Sequence, residues 1–163
     1  AAEIGVSQMH VSRLLTRTLE QLPAGTETYV LAEIPSSDDR LEVQSAARVT
    51  WTWLEGCGND SGPSRLADAV STFVAPEGAG YVWFAGEASA SRAVRKHLRH
   101  ERGMTAERCT LLGYWRLDSE RWDARYAAVA PTLEAVYTEA VAAGVSSDDA
   151  LVLYDEALER VGL

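Results

Sequence analysis

The chain has 163 residues, 47% of them apolar, with a formal net charge of −9. That length suits one domain with a substantial core. The acidic balance excludes broad phosphate-backbone binding, which needs cations to displace counterions. No apolar run approaches the roughly 20 residues that a bilayer-crossing helix needs, and the start Ala1-Ala2-Glu3-Ile4 lacks the basic and apolar regions of a secretory signal. The expectation is a cytoplasmic protein without a membrane partner. Cys57 and Cys109 are too few for a disulfide framework, and His10, His97 and His100 show no metal-ligand spacing, so no metal is expected.

Residues 1–22 read as helical. Ser7 can cap a helix carrying Val11, Leu14, Leu15, Leu19 and Leu22 as an apolar stripe, and Pro23-Ala24-Gly25 stops it. Residues 29–34 form a near-continuous apolar strand, the pattern of a parallel sheet buried on both faces. Residues 49–54 form a second strand, with Val49, Trp51 and Trp53 on one face. A Gly/Ser/Asn-rich loop follows over 56–63, then a short helix over 64–73 with Leu66, Ala69, Val70 and Phe73 inward.

The stretch 81–116 is the most informative. A strand over 81–85 meets Gly86 and Glu87, a basic helix runs over 89–102 to Gly103, and a last strand over 108–114 leads into Tyr114-Trp115-Arg116. Strand, glycine turn, helix and strand make the unit of a nucleotide-binding sheet, with the ligand at the strand C-termini. The same pattern occurs in α/β proteins that bind nothing, where the glycine only turns the chain. Arg92, Arg95, Lys96, Arg99, Arg102 and Arg108 face only Glu101 and Glu107 locally. That cluster reads either as a steering surface for a phosphate ligand or as a solvated helix face. Beyond Arg116 the chain is Ala- and Glu-rich. Pro131 is expected to begin a new helix at its first turn, and Ser146-Ser147-Asp148-Asp149 to cap a final one over 149–161.

The motifs LEQLPAGTETYVLAEIPSSDD (19–39), VTWTWL (49–54), WFAGEASASRAVRKHLRHERG (83–103) and GYWR (113–116) resemble, in order and spacing, the C-terminal half of siderophore-interacting proteins. These are flavin-dependent ferric-siderophore reductases. The resemblance implies an α/β fold: a three-layer Rossmann-like parallel sheet of the ferredoxin-reductase type over residues 23–163, with added C-terminal helices. It further implies an NAD(P)H cleft lined by Gly86, Glu87, Ala88 and Ser89, with Arg92 nearby and Arg40 toward a 2′-phosphate. Tyr114, Trp115 and Arg116 would sit where nicotinamide meets flavin. The chain departs from that pattern twice. It has no run of strands before Tyr29 to build the family's flavin barrel, so FAD is not expected to bind it alone. It also lacks the GDET-type strand that leads the family's module and stands at the centre of its sheet.

In that strand's place, AAEIGVSQMHVSRLLTRTLEQL (1–22) resembles the end of a sigma-factor helix-turn-helix, region 4. That resemblance implies a recognition helix over 8–19 with Ser7, Gln8, His10, Arg13 and Arg17 toward DNA. The first helix of the motif is cut to three residues, so DNA is not an expected partner. Three arrangements of the sheet follow: residues 3–7 replace the central strand, the flanking strands pair directly, or another protomer covers the gap, and a homodimer is the favoured expectation. The function implied is NAD(P)H-linked ferric-siderophore reduction, inactive without a separate flavoprotein partner. The alternatives are a non-catalytic interaction module and a DNA-binding regulator.

Overall fold

In a computed structural model, which describes residues 8–58 and 61–163, the chain is a mixed α/β structure with short parallel strands. The first helix, α1, spans Gln8–Gln21. Residues 3–7, and with them the substitute-strand reading and the Ser7 cap, lie outside the described residues. On α1 Leu19 is buried, Leu15 and Leu22 are half-buried and, against expectation, Leu14 is exposed. Ser45 Oγ donates to the Leu19 carbonyl and ties the end of α1 to the segment before the second strand.

The strands β1 (Glu27–Ile34) and β2 (Arg48–Glu55) pair in parallel, Glu27 opposite Arg48 through Ile34 opposite Glu55. Period-2 alternation places Trp51 and Trp53 on one face, where their rings stack at 4.5 Å. The expectation that β1 is buried on both faces fails: Val30 and Ile34 are buried, but Tyr29 on the other face is 43% exposed. The reason is topological. Among the described residues β1 pairs with β2 alone, and the second parallel pair, β3 (Val82–Glu87) with β4 (Cys109–Trp115), is a separate two-stranded sheet. Among the described residues the strands flanking the gap do not pair directly.

Helix α2 (Leu66–Thr72) and helix α3 (Ala88–Lys96) cover one face of this arrangement. Leu66, Phe84, Ala90, Val94 and Leu98 form the buried cluster, joined by Leu31, Val82 and Leu111. After Lys96 the helix widens into a π-turn over His97–Glu101, and Gly103 follows with φ of +60°, which glycine adopts without cost.

Pro131 does not start a helix. It lies inside one continuous helix, α4 (Ser119–Ala142), which packs against α5 (Ser147–Arg160) through Leu133, Ala157 and Leu158. Tertiary contact on both sides of Pro131 holds a helix that the local sequence would break. Proline removes one backbone donor from the helix interior and costs about 3 kcal/mol against alanine. Pro131→Ala is therefore expected to stabilise the chain, by about 1–3 kcal/mol after local strain has relaxed. Urea unfolding checks this, and a lowered midpoint overturns it. Ser146 caps α5 as expected, accepting from the Asp149 amide.

Candidate functional site at the strand C-termini

The C-terminal ends of β1 and β3 converge on one residue, Ser64. Ser64 Oγ donates to Glu33 at 2.9 Å, and the Ser64 amide donates to Glu87 Oε2 at 3.3 Å, so a single residue links the end of β1 to the end of β3. The Arg65 amide also donates to Glu33. Gly58 makes this approach feasible: its φ is +91°, and a Cβ there would lie 2.9 Å from the Glu33 Cβ. Cys57 is buried beside this hub, and burial, reinforced by the Glu33 charge, pushes its thiol upward, away from thiolate reactivity.

Gly86 and Gly113 have packing reasons to be glycine. A Cβ on Gly86 would meet Phe84 Cζ at 3.0 Å and Leu66 Cδ1 at 3.2 Å. A Cβ on Gly113 would lie 2.7 Å from the Ala88 Cα, so Gly113 lets the start of α3 lie directly on β4. The space that glycine leaves at Gly86 is thus filled by the chain's own side chains, the arrangement that speaks against a ligand at that point.

The register between β3 and β4 slips at the site. Gly86 faces Gly113 but Glu87 faces Trp115, which makes Tyr114 the extra residue of a bulge. Bulges re-aim side chains at sheet ends. Tyr114 is half-buried within reach of the Glu33 charge, and burial together with that charge pushes its phenol upward. Periodicity in the sequence gives no sign of this bulge.

Arg116 continues β4 and lies flat on Trp122, its guanidinium carbon 3.4 Å from the ring centroid. Burial, followed by the nearby Arg92 charge, lowers its pKa, while Asp123 and Glu87 counter that. Arg116 Nε and Trp122 Nε1 are buried donors with no hydrogen-bond partner among the described residues. The N-terminus of α3 is close by. Glu87 occupies its cap position without a side-chain cap bond, which leaves the first amides of the helix open, and Ser89 is exposed. The orphaned indole of Trp122, Arg116 with its own orphaned Nε, the nearby Arg92 and an open helix start are the features of an anion-binding corner. Glu87 beside it, and Asp123 with a carboxylate oxygen 4.0 Å from an Arg116 nitrogen, restrict where that anion can sit.

The other sequence candidates lie elsewhere. Arg40 is exposed and pairs with Glu55 at 2.6 Å, at the C-terminal end of β2. A capping box between Ser36 and Asp39 holds the loop before it. His10, Arg13 and Arg17 are exposed on α1, and the Gln8 side chain lies outside the described residues.

The basic helix has a partner that neither sequence reading included. Arg92 donates to the Leu163 carbonyl at 3.0 Å, Arg95 pairs with Asp155, Lys96 with Glu159 at 2.8 Å and Arg99 with Asp149 at 2.5 Å. α3 and α5 run antiparallel along this ladder. The signal was present as a basic stripe and an acidic tail some 60 positions apart, but nothing in one sequence says that they meet. Among the described residues there is no cluster of three metal-ligating side chains, and no helix is long and apolar enough to cross a membrane.

The chain is similar to known proteins. The siderophore-interacting protein family matches residues 15–118, from the middle of α1 to the end of the Arg116 corner. The chain belongs to the siderophore-interacting protein family. Ferric vibriobactin reductase ViuB from two strains of Vibrio cholerae serotype O1 is 27% identical over 104 residues. Those residues are 63% of this chain and 38% of ViuB, so the chain spans well under half the length of the curated relatives it matches. The crystal structure of the siderophore-interacting protein SipS from Aeromonas hydrophila superposes with a TM-score of 0.55 at 21% identity, covering 76% of this chain and 50% of that one. The α/β arrangement is therefore similar to that of SipS. The siderophore-interacting protein match takes in the β3–α3 junction and Arg116, and it ends at Asp118, before α4 and α5.

Proposed function

We propose that this chain is the nucleotide-binding part of a siderophore-interacting protein, concerned with NAD(P)H-dependent ferric-siderophore reduction, and that it does not reduce a siderophore by itself. The observation that carries the reading is the corner at the open start of α3, where Arg116 Nε and Trp122 Nε1 are buried donors without partners. An NAD(P)H phosphate fits that chemistry: the α3 amides from Ala88 and Ser89, with Arg116, would hold it, and Arg92 would add its field. Tyr114 and Trp115 would flank the nicotinamide, and Arg40 would serve an adenosine 2′-phosphate after release from Glu55. The bound nucleotide would supply a hydride. This chain's residues would position it and exclude water, and a flavoprotein partner would accept the electrons and pass them to the ferric siderophore. The Rossmann-like three-layer sheet belongs to this reading, with the central strand supplied from outside the described residues.

Titration of NADPH against tryptophan fluorescence tests it, with Trp115 and Trp122 as reporters at the corner. Saturable quenching is expected, weakened about tenfold or more in Arg116→Gln, roughly 1.4 kcal/mol of a charge-assisted contact. A flat response up to millimolar NADPH, with the variant's melting temperature unchanged, removes the reading.

A further inference from the structure

Arg116 has one edge left for a ligand. Trp122 covers one face of its guanidinium, 3.4 Å from the ring centroid, and the Arg116 Nε is buried. The terminal nitrogens are therefore the donors that a ligand can reach. At that edge stands Asp123, whose Oδ1 lies 4.0 Å from Arg116 Nη1. The pair is long, and the Asp123 side chain is 69% exposed with no other partner among the described residues. The other charged groups beside the corner are already engaged. Arg92 donates to the Leu163 carbonyl at 3.0 Å, and Glu87 accepts from the Ser64 amide at 3.3 Å.

Trp122 and Asp123 are neighbours on α4, and one turn brings both of them back over Arg116. Asp118 makes that turn at the cap position of α4, with φ of +51°, a left-handed backbone that aspartate adopts more readily than most residues. The siderophore-interacting protein match ends at Asp118, so both contacts come from beyond it.

We infer that Asp123 is an internal competitor at the anion corner: its carboxylate holds the reachable edge of Arg116 until a phosphate displaces it, and so sets how much negative charge a ligand must carry. The inference rests on the nucleotide reading of the corner and adds to it a residue that determines specificity. One edge of a guanidinium serves one oxyanion group at a time. A tethered carboxylate as exposed as Asp123 is held weakly. A doubly charged phosphate or a pyrophosphate attracts Arg116 more strongly than a single carboxylate does, whereas chloride or a free monocarboxylate does not. On displacement Asp123 turns into solvent, since no other group among the described residues holds it.

Titration of the whole chain with NADPH, followed by tryptophan fluorescence, tests this at about 0.15 M salt, where exposed charges beyond roughly 8 Å are screened. Asp123→Asn removes the charge and keeps the shape, and it is expected to tighten NADPH about fivefold. The sign is informative, because a merely structural defect weakens binding. Glu120→Gln removes the same charge from the same helix, at a residue with no ion pair to Arg116 among the described residues, and is expected to change the affinity by less than about twofold. Inorganic pyrophosphate, used as a competitor, is expected to gain about fivefold in Asp123→Asn as NADPH does. If the parent chain binds NADPH and Asp123→Asn binds it equally, more weakly, or no better than Glu120→Gln, the inference is overturned and the nucleotide reading stands. A gain with NADPH but none with pyrophosphate places the effect away from the corner and equally overturns it. No binding of NADPH or pyrophosphate to any of the three chains at millimolar concentration removes the reading of the corner, and the inference with it.

Discussion

Replacing Arg95 with alanine is expected to cost the fold about 3–5 kcal/mol, the loss seen when a buried ion pair loses one partner. Asp155 is among the few buried polar residues, and Arg95 is its ion-pair partner. Burial pushes the Asp155 carboxyl upward against the pull of Arg95. The sign of the pH dependence follows. The folded chain binds this proton more tightly than the unfolded chain, so this carboxyl's contribution is complete below its ordinary value of 3.8 and is lost as pH rises through its raised folded value. Without Arg95 the folded carboxyl rises further. The Arg95→Ala variant is therefore expected to gain stability on acidification from neutral pH toward 5, more steeply than the parent chain. Urea unfolding at both pH values measures this, and a loss under about 1 kcal/mol overturns the assignment of a buried pair. The double replacement Arg95→Met with Asp155→Leu is expected to recover most of the loss, because an apolar pair carries no desolvation cost.

Gly113→Val is expected to be the most damaging change at a glycine. The new Cβ would lie 2.7 Å from the Ala88 Cα and 3.1 Å from its Cβ, and backbone at the start of α3 cannot turn aside. Overpacking of this kind costs about 1–3 kcal/mol even for one added methyl, and more for a branched chain. At Gly86 the obstacles are the far ends of Phe84 and Leu66, which can shift, so Gly86→Ala is expected to cost about 1 kcal/mol. Thermal melts of Gly113→Ala, Gly113→Val and Gly86→Ala should rank in that physical order, with Gly113→Val lowest and Gly86→Ala highest. Equal melting temperatures at Gly113 and Gly86 would show that α3 does not lie against β4 as described. The comparison also explains why Gly86 is a poor probe of nucleotide binding. Its replacement disturbs the core under β3, whereas Arg116→Gln acts at the corner itself.

The fate of the basic helix bears on the proposed function. A stripe of Arg92, Arg95, Lys96 and Arg99 suggests phosphate steering, yet Arg95, Lys96 and Arg99 pair with carboxylates on α5 and Arg92 donates to the Leu163 carbonyl beyond its end. Among the described residues at this corner, the first turn of α3 and Arg116, itself 4.0 Å from Asp123, remain for an anion. Exposed pairs such as Lys96 with Glu159 contribute little each, so the ladder's weight falls on the buried Arg95–Asp155 pair. A nucleotide site on this chain is therefore small and local, and it is set by the end of β4 as much as by α3.

Much of this was determined by the sequence alone. Alternation in VTWTWL placed Trp51 and Trp53 on one face, helical spacing placed Leu19 inward, and Ser146 capped α5, because each of these depends on neighbours within one turn or one pleat. The order of strands and helices, and the motifs shared with siderophore-interacting proteins, were legible for the same reason. Only the tertiary structure decided the rest. Pro131 stays inside α4 because contacts distant in the chain outweigh its local penalty. Tyr114 is turned by a slip between β3 and β4 that neither strand encodes by itself. Ser64 becomes the hub of the strand ends because a loop folds back on Glu33 and Glu87. The basic stripe finds its acidic partner some 60 residues away. Periodicity specifies which face of an element is apolar, but not what covers that face, and the two parallel strand pairs, which among the described residues do not join, are where that difference is largest.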